Sequence, residues 1–267
     1  MKPDSQPVLE IRTVKAARGW AWIAEGTRLF LRKPISSIVT LLILFVIMKL
    51  IGRIPVLGLV AMLLMPVFLA GLMDGCRAVD QGRPLALSYL ANGFRRNTGW
   101  LVTLGGIYLI GNVFVFMIIV ALGGEAFIAI AKTMTRGVAM TPQVAEQMQA
   151  ATLAVTKAAL IASLASLPLL MALWFSPLLS YFHDVRPWPA LQASFIACVK
   201  NTLPMMVYGL ILFVALMVLV PVGIRLGFYD LGVWLMAPAL VPSIYASYKD
   251  IFVARGTPPP EDGTLPS

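Results

Sequence analysis

Long apolar runs alternate with short polar segments along this chain. Six runs approach the roughly 20 residues that a helix needs to cross about 30 Å of hydrocarbon. They cover about 34–51, 56–73, 100–122, 158–182, 203–222 and 231–248. The first is charge-free until Lys49, whose stem can carry its ammonium to the interface. The fourth contains Pro168 and Pro177. Residues 125–157 are less apolar, and Thr141-Pro142 is a helix-start signal, so a pair of short helices outside the membrane is expected there. The tail 256–267 is rich in proline, glycine and acid and is expected to be disordered. The pattern predicts an all-α integral membrane fold with six transmembrane helices.

Three stretches of a different kind precede the odd-numbered runs. In the first, Trp20, Ile23, Ala24, Thr27, Phe30 and Leu31 share a helical face, with Arg18, Glu25, Arg28 and Arg32 on the other. Trp22 and Leu29 interrupt the polar face and are placed to pack on the bundle. The second stretch has the stripe Leu87, Leu90 and Phe94, and the third has Trp188, Leu191, Phe195 and Val199. Each ends on a basic residue just ahead of a span, namely Lys33, Arg96 and Lys200. Pro66, Pro168 and Pro238 lie within the even-numbered runs. Chain exits follow, as Asp80-Gln81-Gly82-Arg83-Pro84, Asp184-Val185-Arg186-Pro187, and the segment from Asp250 onward. The spacing is 63 residues from Lys33 to Arg96 and 104 from Arg96 to Lys200. The excess matches the 125–157 insertion. The expectation is three pseudo-repeated units, each an interfacial elbow helix plus a helical hairpin: 16–82, 83–186 and 187–255.

Composition strengthens the membrane reading. Of 267 residues, 59% are hydrophobic and 12% charged, too few charges to cover a water-exposed surface. The net charge of +9 comes from 21 Lys and Arg against 12 Asp and Glu. Fifteen of the 21 basic residues fall on one side of the six runs, which puts both termini in the cytoplasm of a bacterial inner membrane. The first 33 residues lack the early apolar region of a cleavable signal, so the first span is expected to act as an uncleaved anchor. Basic residues without interleaved aromatics exclude nucleic acid as a partner. The expected partners are the phospholipid bilayer and anionic lipid head groups, with a membrane-protein partner or a second copy as further candidates. The interfacial residues expected to meet lipid are Trp20, Trp22, Phe30, Arg32, Lys33, Phe94, Arg95, Arg96, Trp188 and Lys200.

Candidate chemistry changes little. The chain has no GxSxG, HExxH, phosphate-binding loop or paired-cysteine motif. A single histidine, His183, excludes a multi-histidine metal site, and no cofactor is expected. Cys76 and Cys198 are expected as reduced thiols on the cytoplasmic side. His183-Asp184 is read as a helix-end pair. Asp74, Glu125 and Asp230 sit at span ends, where water can solvate them. Asn112 is the main polar residue inside a span and is expected to bond a neighbouring helix. Gly105, Gly106 and Gly111 are expected to allow close helix contact, and Pro66, Pro168 and Pro238 to shape packing.

Several stretches carry a resemblance: Gly19-Trp20-Ala21-Trp22-Ile23-Ala24-Glu25-Gly26 with Leu29-Phe30 and Pro34, then Pro66 to Met73, Cys76-Arg77, Gly82-Arg83-Pro84 and Gly93-Phe94-Arg95. They resemble an uncharacterised family of proteobacterial inner-membrane proteins. The layout is similar to the membrane domain attached to some glycerophosphodiester phosphodiesterases, whose catalytic domain is absent here. The resemblance implies architecture and no activity. The expected role is a non-enzymatic scaffold or accessory protein in lipid organisation or envelope assembly. The alternative is a channel or permease for a small or amphiphilic solute. A polar, water-accessible cavity would favour transport, and a core of Leu, Phe and Met the scaffold.

Overall fold

A computed structural model describes residues 9–135, 141–227 and 231–254. The described residues are helical apart from one short strand pair and the turns between elements. In order they form β1 (Leu9–Ile11), α1 (Arg18–Arg32), α2 (Pro34–Gly52), α3 (Pro55–Asp80), α4 (Ser88–Asn92) and α5 (Thr98–Thr135). There follow α6 (Pro142–Trp174), α7 (Ser176–Phe182), α8 (Pro187–Lys200), α9 (Thr202–Arg225), α10 (Leu231–Ile251) and β2 (Phe252–Ala254). Prolines at the first positions of α2, α3, α7 and α8 suit sites where the missing N–H has no helical acceptor to lose.

Among the described residues, five helical segments are long and apolar enough to cross a membrane: 34–52, 57–80, 98–135, 142–182 and 202–225. The sixth expected span forms α10, but it is not among these five. The fourth run is divided. Pro177 offers no N–H to the preceding turn, the helix breaks at Phe175, and the Phe175 N–H donates to Ser194 Oγ at 2.9 Å.

The 125–157 insertion corrects the expectation of two short helices. Here α5 continues to Thr135, and α6 begins at Pro142. The segment is rich in alanine, and the hydroxyls of Thr133, Thr135, Thr152 and Thr156 donate to carbonyls one turn back. Those hydroxyls are therefore satisfied inside the helices and do not break them. At 1.5 Å per residue the 38 residues of α5 reach about 57 Å, well beyond a bilayer's hydrocarbon thickness. The tail 256–267 and Asp230 lie outside the described residues.

The chain forms two compact units. The smaller, Gly106–Met171, is an antiparallel pair made from α5 and α6. Gly111 faces Leu169 and Gly123 faces Ala158 across it, and Ala158 and Ala162 are buried.

The larger unit holds the remaining helices. Its apolar centre joins Leu41 and Leu44 of α2, Leu72 of α3, Leu90 of α4 and Ala237 of α10, flanked by Met48, Phe68, Trp234 and Val241. Outward positions are apolar too. On α9, Leu203, Met206, Leu210, Phe213, Met217 and Val218 form an exposed stripe at three- and four-residue spacing. Close helix contacts depend on glycine. A β-carbon on Gly93 would lie 2.0 Å from the Val67 carbonyl oxygen, and one on Gly105 1.9 Å from that of Leu63.

The two ends of the chain meet. Strands β1 and β2 pair antiparallel, Leu9 opposite Ala254 and Ile11 opposite Phe252. Asn201, fully buried ahead of α9, holds the same segment. Its Oδ1 accepts the Val14 N–H at 2.9 Å, and its Nδ2 donates to the Arg12 carbonyl at 2.9 Å.

Candidate functional site

A polar cleft of about 320 Å³ in the larger unit is lined by α1, the end of α3 and the end of α10. Helix α1 makes it possible because it carries three distinct faces. Gly19, Trp22, Gly26 and Leu29 are buried, in a row with spacings of three, four and three. The two glycines let this row approach the backbone: a β-carbon on Gly19 would lie 2.3 Å from the Pro204 carbonyl oxygen of α9, and one on Gly26 2.5 Å from the Ser243 nitrogen of α10. Between them the Trp22 ring packs edge-on to Tyr208, with centroids 5.9 Å apart. Trp20 and Leu31 stay exposed on a second face. Arg18, Glu25, Arg28 and Arg32 form the third, which lines the cleft.

Carboxylates opposite that face act as tethers. Asp250 Oδ2 accepts from Arg18 Nε at 2.6 Å and from Trp22 Nε1 at 2.8 Å, so one oxygen fixes both the charged and the buried face of α1. Arg18 also reaches Glu25 at 3.0 Å. Burial opposes the Arg18 charge, but Asp250 and Glu25 outweigh it and raise its pKa. Asp80, the last residue of α3, pairs with Arg32 at 3.6 Å and with Lys249. Arg28 lines the cleft with no ion-pair partner among the described residues.

Two further carboxylates repeat this arrangement beside the cleft. Asp74 is buried in α3 and accepts from Arg77 at 2.7 Å and from Asn92 of α4 at 2.8 Å. The Arg77 guanidinium lies 4.7 Å from the Phe182 ring centre. Solvation at the span end is thus not what balances Asp74. Asp184, just past α7, receives Arg96 and, at 2.6 Å, Asn97 Nδ2. Asn97 and Asp184 have φ of 54° and 53°, a left-handed conformation that Asn and Asp tolerate better than other side-chain-bearing residues. Each holds the other at a helix end.

His183 is indeed a helix-end residue, the C-cap of α7, and its Nε2 shares a hydrogen bond with the Tyr248 hydroxyl. Burial lowers its pKa, Asp184 pulls it up, and Arg96 pushes it further down; the net direction is down. The Arg96 hydrogen bond, opposed by burial and helped by Asn97, lowers the pKa of Asp184. A folded-state histidine pKa below the unfolded value favours folding while both states are neutral. That contribution falls as pH drops below about 6.5 and is gone below the folded pKa. Asp184 acts in the same direction at lower pH, its contribution vanishing as the carboxylate is protonated. The thermal midpoint in detergent is expected to fall between pH 7.5 and 5.5, and His183→Gln is expected to flatten that slope. An unchanged slope in the variant would remove His183 from this account.

The expected interfacial residues separate into groups. Trp20, Arg32, Lys33, Phe94, Arg95, Arg96, Trp188 and Lys200 are exposed, and Phe30 is half-buried. Trp22 is a correction. It has no exposed surface, because its indole N–H has a carboxylate partner and its ring has a packing site made by glycines. Phe94 also packs edge-on to Phe68.

Of the packing residues, Pro66 and Gly105 are buried, Gly106, Asn112 and Pro238 half-buried, and Pro168 exposed. Asn112 donates to the Tyr108 carbonyl one turn back in its own helix, at 2.8 Å. Cys76 and Cys198 are buried thiols, and burial pushes Cys198 up to about 12. The tethers Asp80, Asp250 and Asn201 were missed by sequence reasoning. The signal for two of them was present, since an aspartate recurs at each exit from a hairpin.

The chain is similar to a probable inner membrane protein of Burkholderia thailandensis, 30% identical over 261 residues that cover 91% of this chain and 94% of the relative. No family model and no solved structure matches it.

Proposed function

Because the chain belongs to the same family as that Burkholderia thailandensis inner membrane protein, we propose that it is a non-enzymatic scaffold or accessory protein of the inner membrane, acting in lipid organisation or envelope assembly. The observation that carries this reading is the set of tethers. Asp74, Asp80, Asp184 and Asp250 each hold one segment of the larger unit to another or fix a helix end. Side chains committed in this way build a rigid surface. The apolar filling between α2, α3 and α10 points the same way, since a permeation path there would need polar groups.

In this reading α10 is a sixth span, both termini are cytoplasmic, and the ion-paired end faces the cytoplasm, where anionic head groups attract basic residues. Helices α1, α4 and α8 are elbow helices preceding hairpins α2/α3, α5/α6 and α9/α10, in three related units. The layout compares with the membrane domain of glycerophosphodiester phosphodiesterases, without their catalytic domain.

The test is affinity purification from native membranes, followed by protein and lipid mass spectrometry and solute-flux measurements in proteoliposomes. A reproducible protein partner or enriched lipid class with no flux supports the scaffold. Flux of a co-purifying solute would replace it with the transport reading.

A further inference from the structure

A groove of about 490 Å³ opens along the first turns of α2, bordered by the 84–87 segment that leads to α4. Its lining changes character along its length. Arg32 and Lys33 stand at one end, while Ile35, Val39 and Leu87 are among the apolar residues that line the rest. None of its lining residues is acidic. Lys33 forms no ion pair among the described residues. Arg32 meets the Asp80 carboxylate at 3.6 Å and donates to the Asp80 carbonyl at 3.4 Å, both through Nη1 on an exposed surface, which leaves most of its five donors available.

We infer that this groove holds one anionic phospholipid of the surrounding bilayer, its phosphate against Arg32 and Lys33 and the upper part of an acyl chain along Ile35, Val39 and Leu87. The inference rests on reading α2 as a span whose start lies at the cytoplasmic interface, and it gives that reading a specific ligand. The order of the lining is the argument. Val39 lies six residues beyond Lys33, about 9 Å further along the helix axis. Cations come first and apolar side chains follow, in the sequence of a lipid's head group and tail. Ile35 is 79% exposed, an apolar side chain that needs a cover at that depth. A zwitterionic lipid brings an ammonium that finds no carboxylate in the lining, and Asp80 beside Arg32 is already paired with Lys249, whereas an anionic head group meets Arg32 and Lys33 directly.

The experiment is native mass spectrometry of the full chain released from nanodiscs. Phosphatidylglycerol and phosphatidylethanolamine of equal chain length are compared, and glycerol 3-phosphate is added as a free competitor. One phosphatidylglycerol is expected to persist under conditions that strip phosphatidylethanolamine. Arg32→Gln with Lys33→Gln is expected to weaken its retention about thirtyfold, the scale of two basic residues at an anionic surface. Val39→Trp with Leu87→Trp fills the apolar part and is expected to weaken it with both cations in place. Arg32→Lys with Lys33→Arg, and Arg95→Gln with Lys200→Gln, two exposed cations that do not line the groove, are expected to retain the lipid. Equal retention of the two lipids, equal loss in the Arg95→Gln with Lys200→Gln variant, or full displacement by glycerol 3-phosphate would overturn the proposal. The underlying reading is checked separately. A cysteine placed at Lys33 should react with an impermeant maleimide only after the membrane is opened; reaction in intact cells would overturn the span orientation itself.

Discussion

Replacing Asp250 with alanine is expected to cost about 2–4 kcal/mol of folding stability, and to shift the emission of Trp22 toward that of a wet indole. One oxygen of Asp250 accepts from both Arg18 and Trp22. Its removal leaves a buried indole N–H without an acceptor and a guanidinium with only Glu25. The Arg18 side chain is 36% exposed, so water recovers part of the loss, and the expected figure lies below that of a fully buried pair. Asp250→Asn should recover the bond to Trp22 and not the charge pairing, giving an intermediate midpoint. Trp22→Phe in the Asp250→Ala background should add less than it does alone, because the two share one interaction. Thermal unfolding in detergent measures all four. Full additivity would show that the indole bond is not part of what Asp250 stabilises.

A leucine at Gly26 is expected to be as damaging, through the opposite defect. The missing β-carbon is what lets α1 reach the Ser243 backbone of α10, where it would sit 2.5 Å from a nitrogen. Backbone cannot move aside as a side-chain tip can, so the helices must separate, and Trp22 and Leu29 lose their covers. Overpacking of this kind costs about 1–3 kcal/mol or more, and the expected result is at or beyond the upper end. Gly58 and Gly209 provide the contrast. Both are helical and face open space, so alanine there should be neutral or stabilising by up to about 1 kcal/mol. Midpoints that fell equally at Gly26 and Gly209 would point to general helix perturbation and not to the α1–α10 contact.

The long apolar runs were legible because run length is a local property. The run expected at 34–51 became α2 (Pro34–Gly52), and the one at 203–222 became α9 (Thr202–Arg225). The insertion was misread because polar composition was taken as a signal to leave the helix. Threonines that donate to their own helix carry no such signal. The charged face of α1 was legible as well, and so were Trp22 and Leu29 as residues that pack on the bundle, but the close approach of backbone beside them was not. That depends on glycines at 19 and 26 whose meaning appears only once α9 and α10 are beside them. The strand pair was invisible for the same reason, since three residues carry little periodicity and their partners are more than 240 positions away. Aspartates at 80, 184 and 250 were seen as hairpin exits and not as tethers, because sequence shows that a charge is present and not which cation it meets.

The meeting of β1 with β2, and of α1 with α9 and α10, sets synthesis against assembly. The ribosome delivers α1 first, yet its packing partners and the carboxylate that anchors it are among the last residues made. Until α9 and α10 have been added, Gly19, Trp22 and Gly26 lack the backbone and the ring they pack against. A chain stopped before α10 would keep α2, α3, α5, α6 and α9 and leave α1 without the Asp250 carboxylate and the Ser243 backbone. The docking of α1 therefore reports on whether α10 is in place, and protease sensitivity ahead of α1 is expected to rise in a variant that lacks α10.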